Sequence, residues 1–115
     1  MKKYEIVKEH KHFDDIIAKG KYIKSKYFII YNKESNFEFP RFGIAVGKKV
    51  GNAVIRNKLK RQYRMLITSN KKLFSKGVDY IIIVKRSSLE AKFQDLEIEL
   101  KRTLETLRVI LSTQW

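Results

Sequence analysis

The residues with the clearest capacity for chemistry form a run of cations. Arg56, Lys60 and Arg64 recur every fourth position, and Asn57 and Arg61 repeat that spacing one residue along. At 100° per residue these make two adjacent stripes on one side of a helix. Successive charges in a stripe then stand about 6 Å apart along the axis, comparable to the spacing of phosphates along a single nucleic-acid strand. Arginine presents a planar fork to phosphate oxygens and stacks on bases, so Arg56, Arg61 and Arg64 suit specific contacts better than the neighbouring lysines. Asn57 adds a group able to meet a base edge or a 2′-hydroxyl. A solvated helix face would mix signs. This one has no acid nearby: residues 39–78 contain no Asp or Glu, while Lys48, Lys49, Lys58 and further cations fall in the same window.

Other chemistries lack their residues. Cysteine is absent, which excludes disulfides and thiolate metal sites and suits a reducing compartment. His10 and His12 are the only histidines, and no acidic cluster completes a metal site around them, so both are expected in solvent. Asp14 and Asp15 are adjacent and do not share a helix face; they suit a first helical turn better than a two-metal centre. Lysine and arginine are protonated at neutral pH and cannot serve as general bases. No catalytic residue and no protein-bound metal or cofactor is expected.

Bulk composition agrees with a polyanionic partner. The 115 residues carry 26 Lys and Arg against 12 Asp and Glu, a formal charge of +14 on a 13.7 kDa body. A folded domain tolerates that self-repulsion most naturally when it meets nucleic acid. An anionic membrane is the weaker alternative, because the basic helix keeps its apolar stripe for packing and offers no second apolar face to lipid. No stretch reaches the roughly 18 apolar residues of a membrane span, and Met1-Lys2-Lys3-Tyr4 does not open a signal peptide; a cytoplasmic location is expected.

The pattern around the basic run predicts one domain over 1–115, with 43% hydrophobic residues to build a core and no repeat or linker. A helix is expected at 11–19 from Phe13, Ile16 and Ile17, stopped by Gly20. A strand is expected at 22–31, a turn at 32–36, and a second strand region at 38–49 with Pro40 near its start. Helix 52–70 would pack Ile55, Leu59, Tyr63 and Leu66 on a sheet, and 78–84 would be a buried strand. In the last helix Leu89, Phe93, Leu96, Leu100, Leu104, Leu107 and Leu111 follow in steps of four and three, with Ser87 and Glu90 spaced as a capping box. Trp115 is expected to fray. The result is an α/β (α+β) sandwich: a small mixed sheet covered by helices, in the order α-β-β-(β)-α-β-α. A β-α-β crossover surrounds the basic helix, helices cover one face, and the partly open other face carries the aromatics of the first strand.

The run Lys49-Val50-Gly51-Asn52-Ala53-Val54-Ile55-Arg56-Asn57-Lys58-Leu59-Lys60-Arg61-Gln62-Tyr63-Arg64 resembles the signature of the protein subunit of bacterial ribonuclease P. The preceding Arg41-Phe42-Gly43-Ile44-Ala45-Val46-Gly47-Lys48-Lys49 resembles the strand that leads into it, and the likeness extends over the whole chain. Three positions depart from the family pattern. Lys58 stands where a second arginine is usual, Ile17 where an aromatic is common, and Gly47 where serine is frequent. The resemblance implies a non-catalytic protein monomer bound one to one with a catalytic RNA, which holds the Mg²⁺ ions that cleave the 5′ leader from precursor tRNA. It further implies RNA contacts through Lys48, Lys49, Arg56, Asn57, Lys58, Lys60, Arg61 and Arg64, and a leader cleft involving Phe13, Ile17 and Tyr31 with Arg56 and Lys60. Phe13 and Tyr31 read equally well as packing residues. A stand-alone basic RNA-binding module is the alternative function; a self-sufficient nuclease lacks the residues it would need.

Overall fold

The structure is a computed structural model that describes residues 10–114, with side chains described for 13–110. The expectations for the side chains of His10, His12 and Leu111 and for Trp115 lie outside the described residues. The first helix, α1 (His10–Lys19), ends at Gly20, whose N–H donates to the Ile16 carbonyl at 2.8 Å. A Cβ on Gly20 would stand 2.6 Å from the Asn32 carbonyl oxygen. Glycine is needed here for close approach of the helix end to a strand.

The strand expected at 22–31 is a hairpin of β1 (Lys21–Lys24) and β2 (Phe28–Glu34), and the turn expected at 32–36 begins only after Glu34. Ser25 closes the turn, accepting the Tyr27 N–H on its Oγ at 3.3 Å and donating its own N–H to the Phe28 carbonyl at 2.8 Å. Asn32, polar and turn-like in sequence, is buried in β2 because its side chain donates to the Lys21 carbonyl at 3.1 Å.

Next come β3 (Arg41–Val46), a 3₁₀ turn at Lys48–Val50, and α2 (Ala53–Ser69). The expected second strand region, 38–49, is thus shortened at both ends. Asn52 caps α2 by accepting the Ile55 N–H at 3.0 Å. Then β4 (Val78–Val84) leads through a 3₁₀ segment, Arg86–Glu90, to α3 (Phe93–Gln114). The expected capping box does not form. Ser87 donates instead to the Lys26 carbonyl at 2.7 Å, and the helix starts later, where Asp95 accepts the Lys92 N–H at 3.1 Å. Leu89 consequently leaves the apolar stripe and is exposed.

The sheet order is β1-β2-β4-β3, with β3 and β4 parallel and the other pairs antiparallel. The β3-α2-β4 crossover and the α-β-β-β-α-β-α order follow the expected architecture. Phe28, Ile30, Phe42, Tyr80, Ile82 and Val84 join Leu59, Tyr63, Leu66 and Ile67 of α2 and Leu96, Leu100, Leu104 and Leu107 of α3 in the main core. A second cluster, Ile16 and Ile81 with Phe13, Ile17, Tyr31 and Ile83, lies beneath α1. Helices therefore occupy both faces, correcting the single covered face expected from sequence. The central strand β4 is apolar on alternate sides alike, and Ile81 needs cover just as Ile82 does.

Candidate nucleic-acid interface

Helix α2 separates its residues as its period requires. Leu59, Tyr63, Leu66 and Ile67 are buried, Ile55 half-buried, and Asn57, Lys58, Arg61 and Arg64 exposed. Arg56 and Lys60 are half-buried on the flank of a helix that packs along β3. Lys48 and Lys49 are exposed on the turn that enters the helix. Among the described residues none of these cations forms an ion pair, although the chain pairs Lys19, Lys33, Arg41, Lys101 and Arg102 with carboxylates. The Arg56 Nε–H is buried without an acceptor. Val54 and Met65, 77% and 54% exposed, fall in line with Lys58 and Arg61 at helical spacing, so apolar surface interrupts the charge.

On the α1 side of the sheet, strand register builds rows that the sequence does not display. Tyr22, Tyr31, Ile81 and Gly43 are successive cross-strand partners, and Lys24, Ile29, Ile83 and Ala45 form the next row of that face. The Phe13 ring lies against Gly43; a Cβ there would stand 2.8 Å from the ring and 2.6 Å from Ile81 Cδ1. The structure thus brings Phe13, Ile17 and Tyr31 into one half-buried cluster. Arg56 and Lys60 come from the helix beside β3, the strand that carries Gly43. Gly47 has open space around its Cβ position and an extended backbone, so a serine would fit there.

Midway along α1, Asp15 receives Lys33 of β2 and lies 3.1 Å from Lys19. The Lys33 hydrogen bond, followed by that of Lys19, holds the Asp15 carboxyl below the usual carboxylate range. Asp79 accepts a two-pronged contact from Arg41, with Nε to Oδ1 at 2.8 Å, and the Arg41 guanidinium sits 4.3 Å from the Phe37 ring centre. These carboxylates are engaged in anchoring, and among the described residues no group of three or more His, Cys, Asp or Glu could hold a metal. Among those residues no helix is long and apolar enough to cross a membrane.

In sequence the basic helix reads as a surface and the aromatics of the first strand as an open sheet face, but nothing there singles out Tyr22 or Lys24. Their signal was the alternation within Lys21-Tyr22-Ile23-Lys24, unreadable until the hairpin gave these residues partners.

The model of the family described as Ribonuclease P matches residues 1–108. The ribonuclease P protein component of Mycoplasma capricolum is 39% identical over 109 residues, covering 94% of this chain and all of that protein. The Bacillus cereus (strain AH187) protein component is 36% identical over 99 residues, covering 84% of this chain and 85% of its own. Among solved structures, the RNase P protein of Staphylococcus aureus matches with a TM-score of 0.82 at 28% identity, over 91% of this chain and 96% of that one. That of Thermotoga maritima matches with a TM-score of 0.81 at 28% identity, over 89% and 96%. With its signature helix, its crossover topology and these relatives in agreement, the chain belongs to the protein components of bacterial ribonuclease P, the endoribonuclease of tRNA processing.

Proposed function

We propose that this subunit docks on the ribonuclease P RNA through the exposed face of α2 and the Lys48–Lys49 turn, and holds the single-stranded 5′ leader of precursor tRNA against the α1 side of the sheet. Lys48, Lys49, Asn57, Lys58, Arg61 and Arg64 meet the catalytic RNA, with Arg56 and Lys60 facing the leader from the flank of the same helix. Phe13, Ile17 and Tyr31 form the wall of the leader cleft. The carrying observation is that, among the described residues, the α2 cations form no ion pair while cations elsewhere do. An unpaired cationic row beside an aromatic-bearing sheet suits a flexible strand of any sequence, since phosphates supply the affinity and bases stack without being read.

The chemistry belongs to the RNA, which holds the Mg²⁺ that activates water for phosphodiester hydrolysis. The chain supplies positioning and charge as one protein monomer per RNA. The test is leader release from precursor tRNA at low Mg²⁺ by the protein, by a bacterial ribonuclease P RNA, and by both together. Efficient cleavage is expected only for the combination, and Arg61→Ala should weaken assembly about tenfold while leaving the fold intact. Cleavage by protein alone would overturn the division of labour. No effect of the protein on the RNA would favour a stand-alone RNA-binding module.

A further inference from the structure

We infer that the edge strand β1 extends the leader path, with Tyr22 as an additional base-stacking platform and Lys24 as its phosphate contact. The inference rests on the proposed leader cleft and names where the strand leaves it. Tyr22 is 57% exposed although it stands directly opposite Tyr31 in the hairpin. The two rings are 5.4 Å apart and tilted by 39°, and the solvent-exposed member of the pair is Tyr22. Lys24, exposed and two residues along the same face, holds its Nζ 5.8 Å from the Tyr22 ring centre. No acid lies between Lys21 and Lys26.

An ordinary edge strand carries lysine to discourage pairing, but it has no need of a large exposed aromatic. The hairpin that presents the pair is also held unusually firmly. The carbonyls of Ser25, Lys26 and Tyr27 accept from the Lys85 ammonium (2.7 Å), the Ser87 hydroxyl (2.7 Å) and the Ser88 hydroxyl (2.8 Å), and the Lys85 N–H also reaches Tyr27. A platform fixed in advance loses little entropy when a base settles on it.

Geometry sets the reach. Four strands at the usual spacing put β1 about 14 Å from β3, room for about four stacked nucleotides. A leader that starts beside Arg56 and Lys60 therefore meets Tyr31 before Tyr22. Ile17 brings no aromatic ring to the cleft, and Tyr22 supplies a stacking surface on the outer side of Tyr31.

The test reconstitutes the holoenzyme from this protein and a bacterial ribonuclease P RNA. Binding of precursor tRNAs is measured over a series of leader lengths, from none to about eight nucleotides. Tyr22→Ala should lose about tenfold in affinity for long leaders, and nothing for substrates too short to pass Tyr31. Tyr22→Phe should retain the affinity, and Lys24→Ala should show the same length threshold with a smaller loss. Tyr31→Ala, run in parallel, must weaken binding at a shorter leader length. If it does and Tyr22→Ala does not, this inference fails and the cleft stands. If neither responds to leader length, the leader reading fails with it. A Tyr22→Ala loss that is equal at every length, or that appears in affinity for the RNA subunit alone, overturns the assignment of Tyr22 to the leader.

Discussion

Gly43 does at residue scale what no side chain could do in its place. It sits in the middle of β3 with ordinary strand geometry, and its lack of a Cβ leaves the space in which the Phe13 ring rests against Ile81. Replacing it with alanine sets a methyl against a ring and a fully buried isoleucine, and overpacking of that kind costs about 1–3 kcal/mol. Gly43→Ala is expected to lower the melting temperature and loosen α1 from the sheet. Leader-dependent affinity should fall while affinity for the RNA subunit stays near wild type, because α2 packs on the opposite face. Equal losses in both affinities would mean that the two faces are not independent. Phe13 packs in this cluster, and the proposed cleft uses the same ring as its wall.

Among the elements, α2 is tied to the rest of the molecule by one buried hydrogen-bond chain. The Tyr63 hydroxyl bonds Ser88 Oγ at 2.8 Å, and Ser88 donates onward to the Tyr27 carbonyl, so helix, 3₁₀ segment and hairpin are joined in a row. Tyr63→Phe removes the first link and should cost about 1 kcal/mol in neutral denaturant unfolding. Burial pushes the Tyr63 phenol, and that of Tyr80, above the usual tyrosine range. Above pH ~10 the unfolded chain therefore releases protons that the folded chain keeps, and stability falls as pH rises. Tyr63→Phe should show a shallower alkaline loss than wild type; an unchanged slope would separate Tyr63 from that titration. The helices were legible in sequence because their apolar residues repeat every three to four positions. The hairpin was not, since Tyr22 to Tyr31 is continuously strand-like and its break at Ser25 depends on carbonyl partners some sixty positions away.

For the whole molecule the governing quantity is a charge of +14 that the fold does not neutralise. Asp15 is tethered to Lys33 and Asp79 to Arg41, four further acids lie on α3, and residues 39–78 contain none, so the exposed charges of α2 are all positive. Each phosphate that the flank neutralises releases counterions, so log affinity for RNA should fall steeply and linearly with log salt. Removing an exposed phosphate contact, as in Arg64→Ala, should reduce that slope by about one. A slope that is flat in wild type, or indifferent to the substitution, would contradict the electrostatic account. Acid works on the other side of the ledger. The lowered carboxyl of Asp15 supports folding above the ordinary carboxylate pKa, and that support fades as pH drops through the folded value.

By itself the sequence determined the family, the helical faces and the basic surface, because each is written in local order: a gapless signature, a 3.6-residue period and a long stretch without acids. The order strand, helix, strand around α2 was also written locally, and it becomes a crossover because the two strands lie side by side. Tertiary structure alone decided which strands are neighbours, and with that which residues share a face. Tyr22 meets Tyr31 through pairing, Phe13 finds its seat on Gly43 thirty positions away, and Ser87 abandons a capping role for a distant carbonyl. The physical reason is that a strand side chain faces one side or the other by parity alone, while its neighbours depend on register between segments far apart in the chain.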